Sequence, residues 1–139
     1  MDKKKYTIAD VNIVNIQNIS DNRGEMSVVT NKTSSFDIKR VFSIQANKCD
    51  RGHHAHKLCK QFIVCLTGSI KVIVKDGLDQ KEFILNSSLN GLYIPSGIWS
   101  HQIYEDNFNI INVYCDLDYD ESDYIRDFQE YLLFIKKPN

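Results

Sequence analysis

The sequence predicts an all-β body that carries one C-terminal α-helix. Two observations predict it. Short runs rich in β-branched and aromatic residues recur between clusters of turn residues, and one late stretch changes from alternating to helical spacing. A third observation bounds the size: 139 residues is the length of a single domain with one hydrophobic core, so residues 1–139 are read as one domain.

The elements are taken in chain order. Val11–Ile16 and Met26–Thr30 flank the turn Asp21-Asn22-Arg23-Gly24. Phe36–Ile44 places Phe36, Ile38, Phe42 and Ile44 on one face by two-residue alternation. Gln61–Leu66 and Ile70–Val74 are joined by Thr67-Gly68-Ser69, and Lys81–Leu85 comes after Asp76-Gly77. Leu92–Ile94 lies between Asn90-Gly91 and Pro95-Ser96-Gly97, and Asn109–Cys115 is the last strand. Regular short strands with such punctuation point to a sandwich or barrel. From Asp120 to Lys137 the apolar residues Ile125, Phe128, Leu132 and Ile135 fall at helical spacing. Asp120, Glu121 and Asp123 crowd the start of that helix, Lys136 and Lys137 lie at its end, and Pro138 stops it, as the helix dipole favours.

Composition excludes several function classes. Hydrophobic residues make up 42% and charged residues 25%, which is ordinary for a globular protein. The formal net charge of −1 gives no overall field for nucleic acid or an anionic membrane. No apolar run approaches the roughly 20 residues that span a bilayer. Met1–Lys5 has a basic start, but Asp10, Asn12 and Asn15 deny it the unbroken apolar core of a secretory signal, so none is expected. Cys49, Cys59, Cys65 and Cys115 form no CxxC pair, and reduced thiols in the cytoplasm are the expectation.

Arg40 shares the phase of Phe36, Ile38, Phe42 and Ile44. A charge among inward-facing apolar residues is costly unless it is paired. Either a structural carboxylate satisfies it or it lines a cavity and meets an anionic ligand; the alternation alone leaves both open.

His54 and His56, two residues apart, reach one face if their segment is extended, and His53 reaches the other. Such a pair serves metal ligation or general acid–base catalysis, or is merely a surface pair. The run from Gly52, His54 and His56 through Gln61 to Gly68, with Gly91, Pro95 and Gly97 later, resembles the cupin signature. In metal-binding cupins a carboxylate stands where this chain has Gln61, and a third histidine where it has Ser100. His101 is one position late, and one step along a strand turns a side chain to the opposite face. Without the charged ligand no metal is expected, and the two histidines are read as proton-transfer groups.

Several longer segments narrow the resemblance: Ser20–Gly24, Asp37–Phe42, Arg51-Gly52-His53-His54-Ala55-His56-Lys57, Gly91–Pro95 with Trp99, and Tyr119–Arg126. Together they resemble the sugar 3,4-ketoisomerases that act on dTDP-4-keto-6-deoxyglucose, the FdtA/QdtA-like (WxcM-like) cupins. The resemblance implies one cupin jelly-roll barrel of the RmlC-like kind with a C-terminal helix, no cofactor and no required metal. It implies a homodimer with exchanged N-terminal strands and a dTDP-linked keto-sugar inside the barrel. Arg23, Arg40 and Arg51 are then the candidates for the pyrophosphate, a task suited to the planar guanidinium fork. This favours ligand contact for Arg40. His54 and His56 become the catalytic pair, with His56 handling the carbon-bound proton and His54 the oxygen-bound one. Tyr93, Trp99 and Tyr104 are candidates to pack on sugar or thymine, with core or dimer packing the alternative for Trp99. The product would supply an aminotransferase that makes 3-amino-3,6-dideoxy sugars. Phe42 departs from the tyrosine common in the family, and no glutamate stands at Lys60–Gln61. A dTDP-sugar 3,5-epimerase and a non-catalytic ligand-binding cupin are the rival readings.

Overall fold

The structure is a computed structural model and describes residues 5–137. The chain runs through β1 (Asn12–Asn15), β2 (Gln17–Asp21), β3 (Gly24–Val28), a helical turn α1 (Asn31–Ser34), β4 (Arg40–Ala46) and β5 (Cys49–His56). It continues through β6 (Gln61–Thr67), β7 (Ile70–Lys75), β8 (Gln80–Leu85), β9 (Asn90–Ile94), β10 (Trp99–Tyr104) and β11 (Asn109–Cys115). A 3₁₀ turn (Glu121–Asp123), β12 (Tyr124–Ile125) and the helix α2 (Phe128–Lys136) complete it. The strands form two five-stranded antiparallel sheets, ordered β1-β9-β6-β11-β4 and β12-β5-β10-β7-β8, with β2–β3 a separate hairpin. Two such sheets face to face are the jelly-roll expected for a cupin.

Period two decides which side chains fill the space between the sheets. Ile63 and Cys65 of β6, Leu92 and Ile94 of β9, and Ile111 and Val113 of β11 meet Ile70, Val72 and Val74 of β7, Leu85 of β8 and Tyr104 of β10 in one cluster. Each buried aliphatic side chain there contributes about 1.5–3 kcal/mol. The alternate residues Phe62, Val64, Tyr93 and Tyr114 turn to the back of the first sheet, where Ile16 and Phe36 cover them. Gln61–Cys65 is therefore buried throughout, which explains its unbroken apolar run.

The structure departs from the expected elements in three places. Phe36 and Ile38 are not in a strand but pack behind the first sheet. Thr30 and Thr33 form a capping box that starts α1, and Ser35 closes it in the left-handed region (φ 68°), so the extended chain begins only at Arg40. The polar, histidine-bearing segment Cys49–His56 and the segment Trp99–Tyr104 are full strands, as is Gln17–Asp21. The helix starts at Phe128, not near Asp120. Asp127 caps it by accepting from the Glu130 N–H (3.0 Å), while Tyr124 and Ile125 pair with His56 and Ala55 of β5. The acidic residues at 120–123 thus end a loop and enter a strand; Pro138 lies outside the described residues.

The helix seats on the outer face of the second sheet. Trp99 packs edge-on to Phe128 (5.1 Å between ring centroids) and against Tyr131 (5.6 Å), with Ala55 and Ile125 beside them. The Tyr131 hydroxyl lies 2.8 Å from the Gly97 carbonyl and 3.2 Å from that of Lys75, which anchors α2 to the turn before β10 and to the end of β7. Among the described residues no helix is long and apolar enough to cross a membrane.

Candidate active site

Strand β5 carries the histidines, and a bulge sets their direction. Pairing with β10 runs Ser100↔His54, His101↔Gly52, Gln102↔Arg51, so two steps along β5 oppose one along β10. Gly52 has φ +100° and His53 φ +61°. A Cβ on Gly52 would sit 3.0 Å from the His101 Cα and 3.3 Å from the Ser100 carbonyl, so the strands approach too closely there for another residue. The bulge has a chemical consequence. Arg51 and His54 are three apart and would face opposite sides of a regular strand; here both line one cavity of about 180 Å³.

That cavity opens between the sheets beside the packed core, with which it shares Val113. Phe42 and Ile44 of β4 form its apolar wall, Gln61 and Gln102 bring amides, and Tyr124 and Arg126 close it from the β12 side. His54 and His56 meet edge to face, with ring centroids 5.0 Å apart. The Tyr124 ring packs on both, at 5.1 and 4.3 Å. The Arg126 guanidinium lies over the Tyr124 ring at 4.4 Å and is held by Glu121 at 2.7 and 2.9 Å.

Behind His56 lies a carboxylate. His56 Nδ1 is 2.9 Å from Asp123 Oδ2, and Asp123 Oδ1 accepts the Leu58 N–H at 2.7 Å. Both His56 and Asp123 are buried. An acceptor at Nδ1 fixes the neutral tautomer with its proton there and its lone pair on Nε2. That Nε2, and Nδ1 of His54, are buried with no hydrogen-bond partner among the described residues. Burial first, and then the neighbouring His56, push the His54 imidazole down to about 4. Burial also lowers His56, with Asp123 opposing it. Both rings are neutral at pH 7 and able to accept a proton.

The donor set does not fit the divalent ion that many cupins hold. Gln61 offers a neutral amide to the cavity where a carboxylate would be needed, and Ser100 stands opposite His54 in the strand pairing. Asp123 already spends both oxygens on His56 and the Leu58 N–H.

The structure brings some of the expected residues together and separates others. Arg51 and His54 line the cavity, and His56 packs against His54 without lining it. Tyr104 lies deeper in the core, with its hydroxyl 3.4 Å from Gln102 Oε1 and its phenol pushed up to about 12 by burial. Arg40 does share the inward phase of Phe42 and Ile44, but its Nη2 is 3.4 Å from Cys115 Sγ, and its guanidinium lies over the rings of Phe42 (5.5 Å) and Tyr119 (5.7 Å). The neighbouring Cys59 thiol first, and the Arg40 guanidinium after it, pull the Cys115 thiol below its ordinary value against the effect of burial. The partner of this arginine is thus a sulfur, not the carboxylate considered from sequence. Arg23 sits at the tip of the β2–β3 hairpin, 86% exposed and paired with Asp21 at 2.6 Å. Tyr93 packs behind the first sheet against Phe36, and Trp99 lies under α2; neither lines the cavity. Asp123, Tyr124 and Arg126 were missed as site residues, because their segment reads as the first turns of a helix. The signal was available in the Tyr119–Arg126 motif itself.

Residues 9–136 match the family model described as "FdtA: WxcM-like, C-terminal". The chain belongs to this family. It is 37% identical over 131 residues to the TDP-4-oxo-6-deoxy-α-D-glucose-3,4-oxoisomerase of Aneurinibacillus thermoaerophilus, covering 91% of this chain and 94% of that one. Among solved structures, a 3,4-ketoisomerase from Helicobacter canadensis superposes with a TM-score of 0.88 at 31% identity, over 92% of this chain and 98% of the other. QdtA, a sugar 3,4-ketoisomerase from Thermoanaerobacterium thermosaccharolyticum solved with TDP, gives 0.86 at 32% identity, over 91% and 95%. A dTDP-4-dehydrorhamnose 3,5-epimerase from Bacillus anthracis shares the fold alone, at 15% identity and a TM-score of 0.75.

Proposed function

We propose that the protein is a sugar-nucleotide 3,4-ketoisomerase that converts dTDP-4-keto-6-deoxyglucose into a dTDP-3-keto-6-deoxyhexose. One observation carries the reading: a carboxylate-backed histidine, His56, adjoins a second histidine in the cavity of a ketoisomerase family member. The reaction moves one proton between carbons and one between oxygens. His56 Nε2 takes the proton from C3, which the C4 carbonyl acidifies, and Asp123 stabilises the imidazolium that forms. Neutral His54 relays the second proton, giving its ring N–H proton to the C4 oxygen as its other nitrogen takes the C3 hydroxyl proton, so the enediolate charge moves from O4 to O3. His56 then returns its proton to C4, and the ketone stands at C3. His54, held lower than an ordinary imidazole, suits exchange between oxygens better than removal of a carbon-bound proton.

Arg51, an exposed residue of the cavity lining, holds the pyrophosphate, and the amides of Gln61 and Gln102 meet the sugar hydroxyls. Arg23 serves a neighbouring copy: its hairpin projects Ile19 (51% exposed) and Met26 (59% exposed), paired across the two strands, as a surface for strand exchange in a homodimer. Sedimentation equilibrium that finds only monomer removes that part of the reading. The 3-keto product is the carbonyl an aminotransferase requires to install a 3-amino group.

The deciding experiment is incubation with dTDP-4-keto-6-deoxyglucose, with the product read by NMR. A ketone relocated to C3 is expected. Inversion at C5 would indicate an epimerase, and binding without turnover a non-catalytic cupin. His54→Asn and His56→Asn should each slow turnover about a hundredfold or more; near-normal rates in both would remove the two-histidine mechanism.

A further inference from the structure

The other two histidines of the chain lie on the opposite side of the same strand pair. His53 and His101 stack almost in parallel, with ring centroids 4.3 Å apart and 11° between planes. His53 Nε2 is 2.9 Å from Asp50 Oδ1. One donor atom from each of Asp50, His53 and His101 lies within 4.8 Å of the other two. Chain spacing alone would not give this. Asp50 and His53 are three apart in β5, so regular alternation would send them to opposite faces. The left-handed backbone of His53 (φ 61°) brings its ring back over Asp50 and beside His101, the residue paired with Gly52. Left-handed backbone is uncommon for a residue with a Cβ.

Packing does not satisfy this cluster. The His53–Asp50 hydrogen bond uses one imidazole, while Nδ1 of His101 is buried with no hydrogen-bond partner among the described residues. Buried polar atoms are rarely left so.

We propose that Asp50, His53 and His101 form a binding site for a divalent transition ion of the zinc class, on the outer face of the second sheet behind Arg51 and His54. Two imidazoles and a carboxylate are a borderline-soft donor set that suits zinc, nickel or copper rather than magnesium or calcium. Bonds of about 2.0–2.2 Å to such an ion place tetrahedral donor atoms about 3.3–3.6 Å apart. The His53–Asp50 donors stand 2.9 Å apart and the third donor is within 4.8 Å, and the two stacked rings must turn about their side-chain torsions to aim both lone pairs at one ion. Asp50 and His53 are exposed and His101 half-buried, so a water completes the coordination. The ion would clip β5 to β10 at the bulge.

The test is titration of metal-stripped full-length protein with Co²⁺, read by its visible absorption, followed by displacement with Zn²⁺. About one equivalent per chain is expected. His101→Ala and His53→Ala should each weaken Zn²⁺ binding about tenfold or more, with ketoisomerase turnover of the metal-free His101→Ala variant retained. Asp50→Asn serves as a third variant should one fail to fold. His56, Cys59 and Asp123 form a second, buried cluster of possible donors. Binding lost in Cys59→Ser but retained in His53→Ala and His101→Ala would assign the ion there and overturn the proposal. Absence of Zn²⁺ binding to the unaltered protein would overturn it as well.

Discussion

His54 and His56 do different work because their surroundings differ. Only His56 has a carboxylate at Nδ1, and only that contact fixes which nitrogen carries the lone pair. Asp123→Asn retains the shape and removes the charge, so kcat should fall about a hundredfold with KM little changed. Steady-state kinetics with unchanged far-UV circular dichroism check this; an unaltered kcat would reduce Asp123 to a structural role. The depressed imidazoles also predict a pH dependence. Between the ordinary value of 6.5 and about 4, the unfolded chain binds a proton that the folded His54 refuses. Stability should therefore decline as pH falls through that window, and His54→Gln should flatten the slope in urea unfolding. Equal slopes would show that His54 is not the group that titrates. Two-residue spacing made the histidine pair legible in the sequence. Asp123 is 67 positions from His56, and nothing local ties the two until Tyr124 pairs with His56 across the sheet edge.

The element that matters most is β5, a strand with one residue too many. Its hydrophobic content is low, so it does not read as a strand, and only the Gly52–His53 bulge aligns Arg51 with His54. Gly52→Ala forces a Cβ at φ +100° to within 3.0 Å of His101 Cα. A loss of about 1–3 kcal/mol is expected by denaturant unfolding, from backbone strain. Turnover should drop as well, because relieving the strain turns either Arg51 or His54 out of the cavity. A variant as active and stable as the parent would mean the bulge does not set the site. The C-terminal element teaches a related lesson. Helical spacing from Ile125 to Ile135 is real, but Ile125 reaches the Trp99 cluster from a strand and Phe128 from a helix. Periodicity identified the buried face while missing the change of backbone, and with it the residues at the cavity rim.

Across the whole molecule, stability and chemistry occupy different parts of one sandwich. The apolar strands were legible because alternation between two sheets leaves a strong pattern; the site strands were not, because polar residues facing a cavity remove that pattern. In the second sheet, β12 and β5 at one edge carry the tyrosine and histidines, while β8 at the far edge contributes Leu85 to the packed core. This separation makes a paired prediction. Leu85 is 0% exposed, and Leu85→Ala leaves a cavity the sheets cannot easily close, at a cost of about 2–5 kcal/mol. Its urea midpoint should fall with the slope unchanged, while the folded fraction turns over near the parent rate. His56→Asn should do the reverse. It abolishes most turnover, while the asparagine amide stands near the place of Nδ1 and can still donate to Asp123, so the unfolding midpoint should move less than in Leu85→Ala. If Leu85→Ala lost turnover in proportion to stability while still folded, the core would be coupled to the cavity, and the two edges of the sheet would have to be treated as one cooperative site.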